Sequence, residues 1–264
     1  MTRAENSTCK SFLAGCVAGM ATSIVVCPLD VLKTRLQAFN KHSIRIGYPT
    51  LLSILKSERL RVFKGLEPTM LGYIPSWAIY FTVYNFLKTS LPFSGPPLHI
   101  ISAAGGGLSN LLITSPFWIV RTRLMINSKL YKNTFQAMKL IFKDEGFLSL
   151  YKGFIPSIFG ISHVMIQFPL YEYFKKETGS DKISSILLAS FASKIIASSI
   201  TYPHEVIRTR IQNTFHKQNV KDAIAEVWRN EGFGGFFKGL KVNLVRVIPA
   251  TAITFTVYET VMKV

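Results

Sequence analysis

One pattern occurs three times in this chain of 264 residues, and it decides the architecture. The segments Pro28-Leu-Asp-Val-Leu-Lys-Thr-Arg35, Pro116-Phe-Trp-Ile-Val-Arg-Thr-Arg123 and Pro203-His-Glu-Val-Ile-Arg-Thr-Arg210 start 88 and 87 residues apart. Each is followed by an aromatic-Lys-Gly triplet: Phe63-Lys64-Gly65, Tyr151-Lys152-Gly153 and Phe237-Lys238-Gly239. An acid stands shortly before each triplet, at Glu58, Glu145 and Glu231. Each unit then closes on a tyrosine pair, Tyr84-Asn85, Tyr171-Glu172 and Tyr258-Glu259. Three signals recurring in one order at one period mark a triplicated unit. The repeats are expected at 8–92, 96–178 and 182–264.

Each unit carries two long apolar runs, at 11–38 and 66–90, 98–127 and 154–176, and 184–213 and 240–263. Every run exceeds the ~20 residues a helix needs to cross a bilayer. Shorter amphipathic pieces near 48–57, 132–144 and 219–230 read as helices lying at a membrane interface. The expectation is an all-α membrane protein with six spanning helices, pseudo-threefold symmetry and both termini on one side. Gly15 and Gly19, and Ala103 and Gly107, are four apart and read as sites of close helix approach.

Composition narrows the function. The chain is 48% hydrophobic and only 17% charged, yet its 31 Lys and Arg against 14 Asp and Glu give +17. A basic balance fits nucleic acid, an anionic membrane surface or an anionic solute. The high apolar content and the lack of nucleic-acid-binding motifs exclude the first. Cys9, Cys16 and Cys27 have neither metal nor disulfide spacing, and His163 and His204 stand alone, so no metal and no cofactor is expected. Ala104-Gly-Gly-Gly107 sits inside an apolar helix and lacks the Lys-Ser/Thr of a phosphate loop, so it reads as packing. Residues 1–10 show no secretory signal and no Arg-rich presequence. An enzyme is not expected.

Pro28, Pro116 and Pro203 lie inside the odd-numbered spans, where proline removes a backbone hydrogen bond and kinks the helix. Charges follow at once: Asp30, Lys33, Arg121, Glu205 and Arg208. Charges at this depth pair with one another or face an aqueous path. Pairing within a helix is one reading. Pairing from one repeat to the next, in a ring that closes and reopens a pore, is the stronger one.

These segments resemble the signature of the mitochondrial carrier family, P-x-[D/E]-x-x-[K/R]-x-[K/R] three times, and the likeness covers essentially the whole chain. The resemblance implies six helices in the mitochondrial inner membrane, alternating access about a central site, and a charged gate at each end. It also implies a monomer in contact with membrane lipid, cardiolipin included. Peroxisomal and plastid settings stay open.

On the matrix side the resemblance pairs Asp30 with Arg121 and Glu205 with Lys33, with Gln37 and Gln212 as braces. Trp118 stands where the second acid belongs, which leaves Arg208 without its partner, and Met125 replaces a glutamine. The opposite gate is complete only in Tyr171-Glu172-x-x-Lys175. Tyr84 and Lys88 lack an acid, because Asn85 replaces it, and Tyr258 and Glu259 lack a base. This end is expected to close weakly, which leaves uniport open beside exchange.

Substrates lack threefold symmetry, so positions where the copies differ are the site candidates. Lys194 aligns with Gly19 and Gly107. It lies eleven residues before Glu205, about 1100° of helix rotation, and so shares that residue's face. Arg246 aligns with Gly72 and Gly160, and Ile161 follows the latter. Trp77 could stack on a base or pteridine ring, and Asn110 could bond a ring or ribose. Two cations and a ring platform suit an anionic solute with a planar part, and a guanidinium grips phosphate or carboxylate bidentately. Within the family, Pro116-x-Trp118, Pro75-Ser-Trp-Ala-Ile-Tyr-Phe81 and Tyr202-Pro-His-Glu205 resemble the branch that carries NAD, pyrimidine nucleotides, folate or FAD. A nucleotide or dinucleotide is the first expectation, and a folate-like cargo the alternative. No nucleic acid is expected.

Overall fold

The structure is a computed structural model and describes residues 3–38, 63–92, 95–178, 183–216 and 218–263. The interfacial piece expected at 48–57 lies outside them. The helices are α1 (Arg3–Ala38), α2 (Leu66–Ser90), α3 (Pro96–Ile126), α4 (Thr134–Glu145), α5 (Phe154–Phe159), α6 (Ile161–Thr178), α7 (Ile183–Asn213), α8 (Val220–Glu231) and α9 (Leu240–Lys263). Short 3₁₀ turns precede α5 and α9, at Phe147–Tyr151 and Phe233–Phe237. The run expected as one helix over 154–176 is broken at Gly160, which caps α5.

The main helix contacts run between repeats, not within them. α2 packs on α3, α6 on α7, and α9 returns to α1, which closes the ring. The proline-bearing helices α1, α3 and α7 also touch one another pairwise, and to a similar extent. That pattern is a six-part barrel whose odd helices converge at one end.

The bundle is built inside out. Large apolar side chains face outward, among them Val25, Phe86, Ile100, Ile113, Phe168, Leu188 and Ile248. Charges collect inside. A chain that exposes this much contiguous apolar surface and buries its ions matches a lipid surround. Val17–Ala38 and Pro97–Ile126 are long and apolar enough to cross a bilayer by composition alone.

Among the described glycines within the spanning helices, the tight approaches fall on Gly105 and Gly106, not on Gly19 or Gly107; Gly15 lies outside them. A Cβ on Gly106 would sit 2.9 Å from the Tyr80 carbonyl oxygen, and one on Gly105 would enter the Leu87 side chain. Gly19 and Gly107 have open space beside them.

At the converging end, α4 and α8 each bury an i, i+4 pair against the odd helix before them. Ala137 and Ile141 join Val120 and Leu124 of α3, and Ala223 and Val227 join Ile207 and Ile211 of α7. Such spacing gives one apolar stripe per helix. Two acid-centred clamps fix these pieces. Glu145 binds Arg123 and Lys152, and Glu231 binds Arg210 and Lys238.

Arg123 and Arg210, and Arg35 at the matching position of the first repeat, also reach into another repeat through Nε. Arg35 donates to the Met125 carbonyl at 2.9 Å, Arg123 to Gln212 at 2.9 Å, and Arg210 to Gln37 at 3.0 Å. The three bonds form a closed cycle around the barrel.

The clamps set an acid limit. Burial favours the neutral carboxyl, but hydrogen bonds from Arg123 and Lys152 outweigh it and hold Glu145 below its ordinary value; Arg210 and Lys238 do the same for Glu231. A lowered carboxyl pKa stabilises the fold above the unfolded value and loses that contribution as pH falls through the folded one. In detergent, melting temperature should hold near neutrality and fall once the pH drops below the ordinary carboxylate range. Glu145→Gln should remove about 2 kcal/mol at pH 7 and flatten the acid loss. Melting curves from pH 3 to 8 check both.

Candidate functional site

Along the barrel axis lies a cavity of about 880 Å³. Among the described residues five cationic side chains line it, Lys33, Arg121, Lys194, Arg208 and Arg246, against two carboxylates, Asp30 and Glu205. The surplus is three positive charges.

The floor lies at the proline end, where the odd helices meet. Arg121 Nη2 contacts Asp30 Oδ2 at 2.7 Å, joining α3 to α1, and Lys33 Nζ contacts Glu205 Oε2 at 2.7 Å, joining α1 to α7. Gln37 lies beneath the second pair. Its Nε2 donates to the Tyr202 hydroxyl at 3.0 Å and to Glu205 at 3.4 Å, while its Oε1 accepts from Thr209 at 2.9 Å. The Lys33 ammonium stands 5.8 Å from the Tyr202 ring centroid. Gln212 braces no charge pair; its Oε1 accepts from Thr122 at 2.7 Å.

Trp118 stands where a third acid would pair with Arg208. Its indole N–H donates to Thr114 Oγ1 at 3.1 Å, and its ring meets Tyr73 edge-on at 5.5 Å and the Arg121 guanidinium at 5.6 Å. Among the described residues nothing bonds Arg208.

Arg246 departs from its expected place as a free cation. Its Nη1 contacts Asp30 Oδ1 at 2.5 Å, so one carboxylate holds arginines from α3 and α9 together. Asp30 suits that role, since its side chain is only 12% exposed. Lys194 does face the cavity, and among the described residues no carboxylate pairs with it.

The ring platform is displaced. Trp77 does not line the cavity: it is 58% exposed on the outer surface and stacks on Phe81 at 5.9 Å. Gly72 is also absent from the lining, since a Cβ there would lie 3.5 Å from Phe117 and 3.8 Å from the Trp118 ring. Tyr73 and Ser76 line the wall in their stead. Asn110 and Gly160 do line it, and the Asn110 side chain accepts from Ser76 Oγ at 2.7 Å. The side chain of Ile161 lies outside the described residues.

The opposite end carries no charge pair among the described residues. Tyr84 bonds His99 Nδ1 at 2.8 Å on the neighbouring helix, and Lys88, Tyr171, Glu172 and Lys175 reach no acid or base across the axis. Tyr258 and Glu259 lie in α9 with side chains outside the described residues. Among the described residues, then, the charge pairs gather at the proline end and none links the helices at the other.

Three features escaped the sequence reading: the Arg246–Asp30 bond, the Tyr202 contact under Gln37, and the arginine-to-carbonyl cycle. The last had a signal, because Arg35, Arg123 and Arg210 occur in all three copies and so mark the scaffold.

The family model for mitochondrial carrier protein matches residues 4–95, 93–182 and 179–264. The mitochondrial nicotinamide adenine dinucleotide transporter 1 of Saccharomyces cerevisiae is 40% identical, over 96% of this chain and 76% of its own length. The chloroplastic nicotinamide adenine dinucleotide transporter 1 of Arabidopsis thaliana is 38% identical, over 98% of this chain and 92% of its own. The chloroplastic folate transporter 1 of Arabidopsis thaliana is more distant, 34% identical over 98% and 94%.

Proposed function

The chain belongs to the mitochondrial carrier family, and on that premise we propose that it exchanges NAD across the mitochondrial inner membrane by alternating access. The observation that carries this reading is the charge balance of the axial cavity, five cations to two carboxylates. Such a chamber suits a solute with paired phosphates, because each cation in a low-dielectric wall strengthens binding of opposite charge.

Lys194 and Arg246 take the anionic part of the solute, and Asn110, Gly160 and Ile161 border it. Asp30, Lys33, Arg121, Glu205, Gln37 and Gln212 act at the matrix gate, with Arg208 beside them. Tyr84, Lys88, Tyr171, Glu172, Lys175, Tyr258 and Glu259 form the gate on the far side, and Pro28, Pro116 and Pro203 supply the bends about which the helices swing. The boundaries 8–92, 96–178 and 182–264 delimit one repeat each. The chain acts as a monomer, because a single copy supplies every charge of the cavity.

Purified protein in liposomes loaded with NAD should take up labelled NAD with saturable kinetics. NAD should also raise its melting temperature more than folate or FAD does. Absence of NAD uptake from protein that is folded, or a larger shift from folate, would overturn the assignment.

A further inference from the structure

We infer that Arg208 is an anion site at the closed end of the cavity, where its guanidinium takes a phosphate group in the place of the carboxylate that Trp118 does not supply. Where that phosphate belongs to the cargo, the inference rests on the function proposed above.

Charge at this end is unevenly served. Lys33 has Glu205, and Arg121 and Arg246 share Asp30. Arg208 lines the same cavity, yet no hydrogen bond or ion pair joins it to any described residue, and its Nε is buried without a partner. The Nε atoms of Arg121 and Arg246 are buried and unmet in the same way. Three orphaned guanidinium donors thus line one chamber. Buried donors are normally satisfied, and leaving a charged one unmet is costly.

Neighbouring groups do not relieve this. The Trp118 indole N–H is spent on Thr114, and the Gln212 side-chain oxygen on Thr122. Glu205 is held by Lys33 and Gln37. Glu205 attracts Arg208 without bonding it, while Arg121, on the same cavity wall, repels it, so an anion between the two guanidinium groups relieves both. A planar guanidinium on a cavity wall, with two or more free N–H groups, matches a tetrahedral oxyanion in geometry and charge.

Two sources offer that chemistry: a phosphate of the transported dinucleotide, or free inorganic phosphate. In the first case the cargo itself forms the third bond of the closed end. The helices meet there with two carboxylate pairs, and the loaded carrier gains a link the empty one lacks.

The full chain is tested as Trp118→Glu, Arg208→Gln and Arg208→Lys, reconstituted in liposomes for NAD exchange and in detergent for melting with inorganic phosphate or NAD. Trp118→Glu gives Arg208 an internal partner, so it should melt at a higher temperature and need about tenfold more inorganic phosphate for equal protection. If cargo phosphate is the occupant, KM for NAD also rises about tenfold in Trp118→Glu and Arg208→Gln, with kcat changed less, and Arg208→Lys recovers part of it. Loss of phosphate protection with an unchanged NAD KM assigns the site to free phosphate. Wild-type phosphate protection and wild-type KM in both Trp118→Glu and Arg208→Gln overturn the site. Phosphate protection decides Arg208 even if the wild-type protein proves not to carry NAD, which separates this result from the functional assignment.

Discussion

Replacing Lys194 by Ala should lower NAD exchange by at least about thirtyfold while the melting temperature holds or rises. Lys194 faces the cavity and pairs with no described carboxylate. Its removal strands no acid, and deleting an uncompensated charge from a low-dielectric wall does not weaken a fold. Binding suffers because truncating one side of a buried charge contact costs ~2–5 kcal/mol, or ~30-fold and upward. Arg246→Ala should lose exchange too, but with a lower melting temperature, since Asp30 then keeps only Arg121. Uptake at matched protein, set beside melting curves, separates the two. Wild-type exchange by Lys194→Ala protein would remove Lys194 from the binding site.

Asp30→Asn should be the most damaging single change at the gate. One carboxylate secures α1 to α3 through Arg121 and α1 to α9 through Arg246. Breaking a buried pair by removing one partner costs about 3–5 kcal/mol, and here two guanidinium groups lose their acid together. The proline end should fail to close, exchange should fall to background, and Asp30→Glu should recover part of it. Melting and uptake of Asp30→Asn, Arg121→Gln and the double variant complete a cycle. Simple additivity in that cycle would mean that the pair does not couple the helices.

Much of this was written in the repeat. The starts of α2, α7 and α9 follow from where polar punctuation interrupts the apolar runs. The pairs Asp30–Arg121 and Lys33–Glu205 follow from placing three copies of one motif about an axis. The orphaned Arg208 follows from the single tryptophan in an acid's position.

What escaped depends on rotation of helices about their own axes. Counting from Gly65 and Gly239 puts Gly72 and Arg246 at one register, yet Gly72 packs beside Phe117 and off the cavity wall while Arg246 lines it. Glycine has no side chain to hold a backbone away from its neighbour, so the same count gives a packing contact in one repeat and a cavity wall in another. Trp77 misled for a related reason, because a mid-helix aromatic suits lipid as well as a chamber. The Arg246–Asp30 bond links the last helix to the first, and no local spacing encodes it.

The arginine cycle accepts on main-chain oxygens at Met125, Gln212 and Gln37. Peptide oxygens are the same whatever residue bears them, so evolution can rewrite those three side chains without unhooking the cyclic clasp. The methionine at 125 is already such an edit. A triplicated ancestor could thus drift toward lopsided cargo chemistry while its clasp stayed symmetric, with each copy specialising on its own.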